Sequence, residues 1–152
     1  MGTGWVNAIL AATRGARVVA VDVNPRAVAA ARANAERNGV AGRWTCAGDV
    51  FSAISGTFDL IVFDPPFRWF KPRDLAETAI TDEGYRAMTS FFRQARGHLA
   101  PGGRMLIFFG TSGDMGYLKQ LMTREGFSWA QAARLAGDND GVPVEYVTFR
   151  VT

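Results

Sequence analysis

The segment that most limits the possible folds is 17–39. It opens with Arg17-Val18-Val19-Ala20-Val21, apolar at every position after the arginine. Such a run predicts a strand covered on both faces, as in a parallel sheet, because a strand with one wet face alternates. Asp22 closes the run. Asn24-Pro25 then opens an alanine-rich stretch that ends at Asn38-Gly39. Proline in the first helical turn and glycine just past the last one are the usual punctuation of a helix. A strand feeding a helix of this length asks for a parallel neighbour, since parallel strands need a crossover of a dozen or more residues.

The pattern recurs along the chain. A short helix, 8–14, comes before this segment. After it, 43–47 predicts a second strand that ends in Gly48-Asp49, and 58–63 a third that ends in Asp64-Pro65-Pro66-Phe67. Thr81-Asp82-Glu83 starts a helix expected to run to about Leu99. Ala100-Pro101-Gly102-Gly103 predicts a turn and 104–109 a fourth strand. A helix over 113–125 closes at Gly126. Two further strands, 127–136 and 144–151, flank the turn-rich Gly137-Asp138-Asn139-Asp140-Gly141 with no helix between them. They predict an antiparallel hairpin at one end of the sheet. The expected fold is therefore α/β, a doubly wound, mostly parallel sheet in one domain spanning 1–152.

Composition narrows the function classes. The chain has 152 residues, 48% of them hydrophobic and 20% charged, which suits one globular domain rather than a disordered chain. No apolar run approaches the ~20 residues of a membrane span. No charged segment followed by an apolar one marks a secretory signal, so a cytoplasmic protein is expected. The single cysteine, Cys46, excludes an internal disulfide, and no His/Cys cluster supports a metal site. The net charge of +3 permits an anionic partner without demanding one. Arg68, Lys71 and Arg73 form a local basic cluster that either steers an anionic substrate or is an ordinary solvated loop. His98, the only histidine, is expected at a helix end, and Trp5, Trp44 and Trp129 are expected to pack. Trp69, beside Phe70, reads as core or as substrate wall.

Ligands of doubly wound sheets bind beyond the carboxyl ends of the strands. The residues there are Gly2-Thr3-Gly4, Asp22, Asp49, Asp64 and Gly110-Thr111-Ser112. One aspartate at a strand end is a common cap or turn residue. Three in succession, with a Gly-x-Gly upstream, point to a ligand. Asp64-Pro65-Pro66-Phe67 is the most specific motif. Its prolines lack N–H groups and fix φ, so the turn is stiff. It can present the Asp64 carboxylate and the Pro65 carbonyl as a rigid pair of acceptors, which suits an amino group on a planar conjugated system.

With these motifs the chain resembles the class I S-adenosylmethionine-dependent methyltransferases that carry (Asp/Asn)-Pro-Pro-(Phe/Tyr). The resemblance implies a Rossmann-like fold and S-adenosylmethionine as cofactor. It places Gly2, Thr3 and Gly4 beside the cofactor's methionine part and Asp22 on the ribose hydroxyls. Asp49 would read the adenine amino group, with Val50 against the ring. It implies methyl transfer to a nitrogen held by Asp64 and Pro65 on the turn stiffened by Pro66, with Phe67 stacked on the acceptor. A nucleobase of RNA or DNA is the favoured acceptor, before a protein amide or a small molecule. The sequence departs from the family pattern at its start. Met1 stands directly before Gly2, and Trp5-Val6-Asn7 replaces the third glycine. The expectation is a sheet without the family's first, central strand. A non-catalytic binding or structural module is the alternative reading.

Overall fold

The computed structural model describes residues 4–41, 44–52, 54–74, 77–139 and 141–152. The chain is Rossmann-like α/β and divides into two units, 1–55 and 56–152. In the first unit, α1 (Gly4–Thr13) leads into β1 (Val18–Val21), α2 (Pro25–Arg37) and β2 (Trp44–Ala47). The strands β1 and β2 are parallel, with Val21 opposite Ala47. The crossover helix α2 starts where the sequence predicts. Asn24 is its N-cap and accepts from the Arg26 N–H through Oδ1 at 3.0 Å, and proline occupies the first turn. Its buried residues Ala27, Ala31 and Ala35 recur every four residues and form one face. Ala12, Ala35 and Val40 cluster, with Val18 packed against them.

The second unit holds a four-stranded mixed sheet in the order β3-β4-β6-β5. Its strands are β3 (Phe58–Phe63), β4 (Leu99–Gly110), β5 (Trp129–Asn139) and β6 (Val142–Val151). β3 and β4 are parallel, while β6 runs antiparallel to both β4 and β5. Two helices, α3 (Arg86–Ala95) and α4 (Met115–Arg124), connect the strands. The core is large and aromatic: Phe92, Phe109, Phe149, Met88, Met105, Leu118 and Leu121 are all almost wholly buried.

Four expectations are revised. The predicted turn at 100–103 is an irregularity inside the long strand β4. Phe58 pairs with Leu99 and Leu60 with Arg104, so β4 takes up extra residues there and the ladder resumes. The hairpin ladder also runs further than its turn-rich sequence suggests, to Asn139 opposite Val142. The helix expected from Thr81 begins later. A 3₁₀ turn (Glu83–Tyr85) precedes α3, Gly84 and Tyr85 take positive φ of 61° and 54°, and a second 3₁₀ turn (Arg96–His98) follows. Asp82 still organises the start. Its buried carboxylate accepts from the N–H groups of Ala87 and Met88, both at 3.0 Å. Finally, coverage of the parallel strands is incomplete, with Val19 on β1 and Leu60 and Val62 on β3 exposed. No helix among the described residues is long and apolar enough to cross a membrane.

Candidate active site

In the second unit, Asp64 leaves the carboxyl end of β3. The turn that carries it is anchored on three sides. Phe63, just before it, stacks on Phe91 of α3 with ring centroids 4.0 Å apart. Pro65 is almost wholly buried. Phe67 is half-buried, edge-on to Phe109 at 5.1 Å and tilted toward Tyr146 at 6.2 Å. The segment after β4 lies against it. A methyl group on Gly110 would meet the Phe67 ring at 2.8 Å, and one on Gly113 would meet the Phe67 carbonyl oxygen at 2.6 Å. Glycine lets the two strand ends approach this closely.

Tyr85 ties the same elements together. Its buried hydroxyl donates to the Phe67 carbonyl at 2.8 Å and accepts from the Asp114 N–H at 2.9 Å. Asp114 in turn caps α4, accepting from the Tyr117 N–H at 2.8 Å. Burial pushes the Tyr85 hydroxyl above its ordinary pKa, which keeps the proton it donates. Neither Tyr85 nor Gly113 stands out as a site residue in the sequence. Nothing in their spacing from the Pro-Pro motif marks them, because the partnership spans 18 residues for Tyr85 and is formed only by the fold.

The effect is to fix a turn whose acceptors are unspent. Among the described residues, neither the Asp64 carboxylate nor the Pro65 carbonyl accepts a hydrogen bond from the protein. The Asp64 side chain stands open to solvent, yet the protein around it strips away enough water to hold its carboxyl above the ordinary range.

The first unit carries the other strand-end acids. Asp22 follows β1, and its Oδ1 accepts from the Asn24 N–H at 2.8 Å, shaping the step into α2. A hollow of about 430 Å³ is lined by Asp22, Val23, Pro25, Val28, Ala29, Arg32 and Gly48. The pairing of Val21 with Ala47 brings Asp22 and Gly48 to the same end of the two strands. Asp49, exposed, begins a turn closed by the Ser52 N–H donating to its carbonyl at 2.8 Å. Val50 within that turn has φ of 40°, a conformation a β-branched residue rarely takes. Gly4 is the first residue of α1, while Gly2 and Thr3 lie outside the described residues.

The remaining candidates resolve into structure. The His98 ring Nδ1 lies 3.0 Å from the Gly56 carbonyl at the end of the 3₁₀ turn. Trp129 packs edge-on against Phe149 and donates to Thr123 Oγ1. Arg73 leaves the basic cluster, because its Nε donates to Glu77 Oε1 at 2.8 Å. Trp69 is exposed, so it is not a core residue. The side chains of Trp5, Trp44 and Cys46 lie outside the described residues, and no group of His, Cys, Asp and Glu suited to a metal occurs among the described ones.

A Rossmann-like α/β fold with an acid after each of β1, β2 and β3 is of the methyltransferase kind. The comparisons make this specific: the chain belongs to the methyltransferase small domain family, whose model matches residues 1–126. S-adenosylmethionine is the cofactor of this family. A ribosomal RNA small subunit methyltransferase C from Chromohalobacter salexigens is 39% identical over 107 residues, 70% of this chain and 28% of that protein. A release factor glutamine methyltransferase from Yersinia pestis is 32% identical over 139 residues, 85% of this chain and 50% of that protein. The chain thus spans half or less of these relatives' length. Among solved structures, a ribosomal protein L11 methylase from Lactobacillus delbrueckii shares the fold with a TM-score of 0.69 at 18% identity. It covers 97% of this chain and 63% of its own. SMU.776, a putative methyltransferase complexed with SAH, has a TM-score of 0.64 at 18% identity, covering 93% and 41%.

Proposed function

We propose that this chain transfers a methyl group from S-adenosylmethionine to the amino nitrogen of a planar acceptor, a nucleobase before a protein amide. The observation that carries the reading is the stiff turn at 64–67, whose Asp64 carboxylate and Pro65 carbonyl accept no hydrogen bond among the described residues. An amino group conjugated to a ring is a poor nucleophile, because its lone pair is delocalised. Asp64 and the Pro65 carbonyl would each hold one of its protons, which turns the lone pair out of conjugation. Phe67 would lie on the ring plane, while Pro66 completes the stiffening of the turn. Asp64 need not act as a strong base, since the nitrogen can lose its proton after attack.

The first unit fits the nucleoside part of the cofactor. When bound, S-adenosylmethionine supplies a methyl group already activated on a sulfonium. Asp22 would accept from the ribose hydroxyls, for which an ionised carboxylate is suited as a pure acceptor. Its Oδ2 has no protein donor among the described residues. Asp49 would take the adenine amino group and Val50 would pack on the ring, with Gly2, Thr3 and Gly4 at the methionine end. The strained φ at Val50 supports a site here, since such strain gathers at ligand-binding turns. One relative is named for ribosomal RNA and the other for a release-factor glutamine, the two acceptor classes weighed here. A cytoplasmic location accords with such substrates.

Calorimetry with S-adenosylmethionine and S-adenosylhomocysteine tests the cofactor, and transfer of labelled methyl to RNA, DNA and peptide acceptors tests the reaction. Binding abolished by Asp22→Ala, together with transfer abolished by Asp64→Ala, is the expected pair of results. Absence of binding to either cofactor form sinks the proposal. Binding without transfer to any amino or amide acceptor leaves the chain a non-catalytic module.

A further inference from the structure

The loop directly after the motif exposes two aromatic rings. Trp69 is 58% and Phe70 57% exposed, and their centroids lie 5.2 Å apart with the planes inclined by 31°. Their backbone is nevertheless fixed. The Arg68 N–H donates to the Ile80 carbonyl at 3.1 Å, the Asp82 N–H to the Arg68 carbonyl at 2.8 Å, and the Gly84 N–H to the Trp69 carbonyl at 2.9 Å. The same Asp82 anchors α3. Trp69 therefore sits on a hydrogen-bonded segment and not on a loose tip, with Phe70 next to it. Trp69 stands five positions after Asp64, so the backbone places it within about 18 Å of Asp64.

The loop around the rings carries Arg68, Lys71 and Arg73 against Asp74 and Glu77, three cations to two anions. Arg73 is neutralised by Glu77, and the Asp74 carboxylate accepts from the Glu77 N–H at 2.9 Å. Lys71, exposed, forms no ion pair among the described residues. Arg68, also exposed, touches Glu77 only through its field. Two adjacent aromatic faces beside two such cations match the chemistry of an unpaired nucleic-acid strand. Every base has a π face to stack, and every linkage has a phosphate. A duplex keeps its bases stacked and its amino groups engaged in pairing.

We infer that Trp69 and Phe70 form a stacking platform for a base next to the methylated one in single-stranded nucleic acid, with Lys71 and Arg68 on its phosphates. This rests on the nucleobase reading of the Asp64 turn. The test is titration of the full chain, with S-adenosylhomocysteine present, against fluorescein-labelled single-stranded RNA of mixed sequence. The same sequence as DNA, its duplex and an acidic glutamine-containing peptide serve as further arms. Trp69→Ala should weaken single-strand binding by roughly 10-fold, and Trp69→Phe should restore most of it. Lys71→Ala should lower the slope of log affinity against log salt by about one. The RNA and DNA arms decide which sugar is preferred. Both rings are exposed, so thermal melts of the variants should match the parent.

Trp69→Ala binding the single strand as tightly as the parent overturns the platform. So does equal or tighter binding of the duplex, or binding of the peptide alone. The active-site reading is judged separately, because Asp64→Ala should lose methyl transfer while its single-strand binding still depends on Trp69. Full transfer by Asp64→Ala, with binding still dependent on Trp69, would remove that reading and leave the platform standing.

Discussion

Asp64 serves as an acceptor at full capacity only while ionised, and its surroundings work against ionisation. Partial burial raises its pKa above the ordinary carboxylate value. Methyl transfer should therefore fall as the pH drops through a value higher than that of an exposed aspartate. The same shift has a stability consequence. The folded chain holds this proton more tightly than the unfolded chain does, so the stabilisation is present in acid and lost as pH rises through the raised value. At neutral pH an ionised Asp64 then costs stability. Asp64→Asn should raise the melting temperature near neutrality, with the advantage shrinking in acid as the parent carboxyl takes up its proton. Melts of both proteins across pH decide this, and a difference independent of pH refutes it. Asp64→Ala should lower turnover ~100-fold, comparable to removing one preorganised electrostatic contact. Its affinity for S-adenosylhomocysteine should stay near that of the parent, since Asp22 and Asp49 end different strands.

The turn at 64–67 is only as rigid as the elements that hold it. Tyr85→Phe keeps the ring stacked on Tyr117 at 5.2 Å but deletes the hydroxyl that serves Phe67 and Asp114. It should cost about 1–3 kcal/mol in a denaturant titration, the penalty for partly buried backbone groups left unpaired. Turnover should fall more than cofactor affinity. Gly113→Ala should do the same by a different route, since its added carbon clashes with both the Phe67 carbonyl and the Phe109 ring. Unchanged turnover in both variants would show that the turn needs no such support. These contacts explain what the sequence could and could not reveal. Asn24-Pro25, the apolar runs and the acids are local signals, and each marks an element boundary or an acid that follows a strand. Pro101-Gly102-Gly103 has the composition of a turn, yet ladder pairing on either side absorbs it into β4. Tyr85 and Gly113 act across long stretches of chain, so only the packed structure displays them. The loss of Arg73 from the basic cluster turns on one i,i+4 partner, Glu77, which the sequence holds but does not rank.

At the scale of the whole molecule the two units are unequally built. The described buried apolar side chains of 1–55 are Ala12, Ala27, Ala31, Ala35, Val40 and Phe51, mostly small. Those of 56–152 include Phe92, Phe109, Phe149, Met88 and Met105. Each buried methylene contributes about 0.8 kcal/mol, so the described residues of the first unit contribute much less apolar burial than those of the second. The first unit should open locally at lower free energy than the second, and its amides should exchange sooner under native conditions. The proposed cofactor residues Asp22, Asp49 and Val50 lie in this weaker unit. A ligand bound only by the closed form adds about 2.7 kcal/mol at a concentration of 100 times its dissociation constant. S-adenosylhomocysteine at that level should therefore slow exchange in β1, α2 and the turn at 48–52 by up to roughly 100-fold. Amides of β4 and β6 should barely change. Asp22→Ala should remove the protection, because the ligand then loses its ribose acceptor while the backbone keeps its ladder. Hydrogen exchange read by mass spectrometry separates the outcomes. Uniform exchange across both units would refute the unequal stability, and protection confined to the second unit would place the cofactor elsewhere.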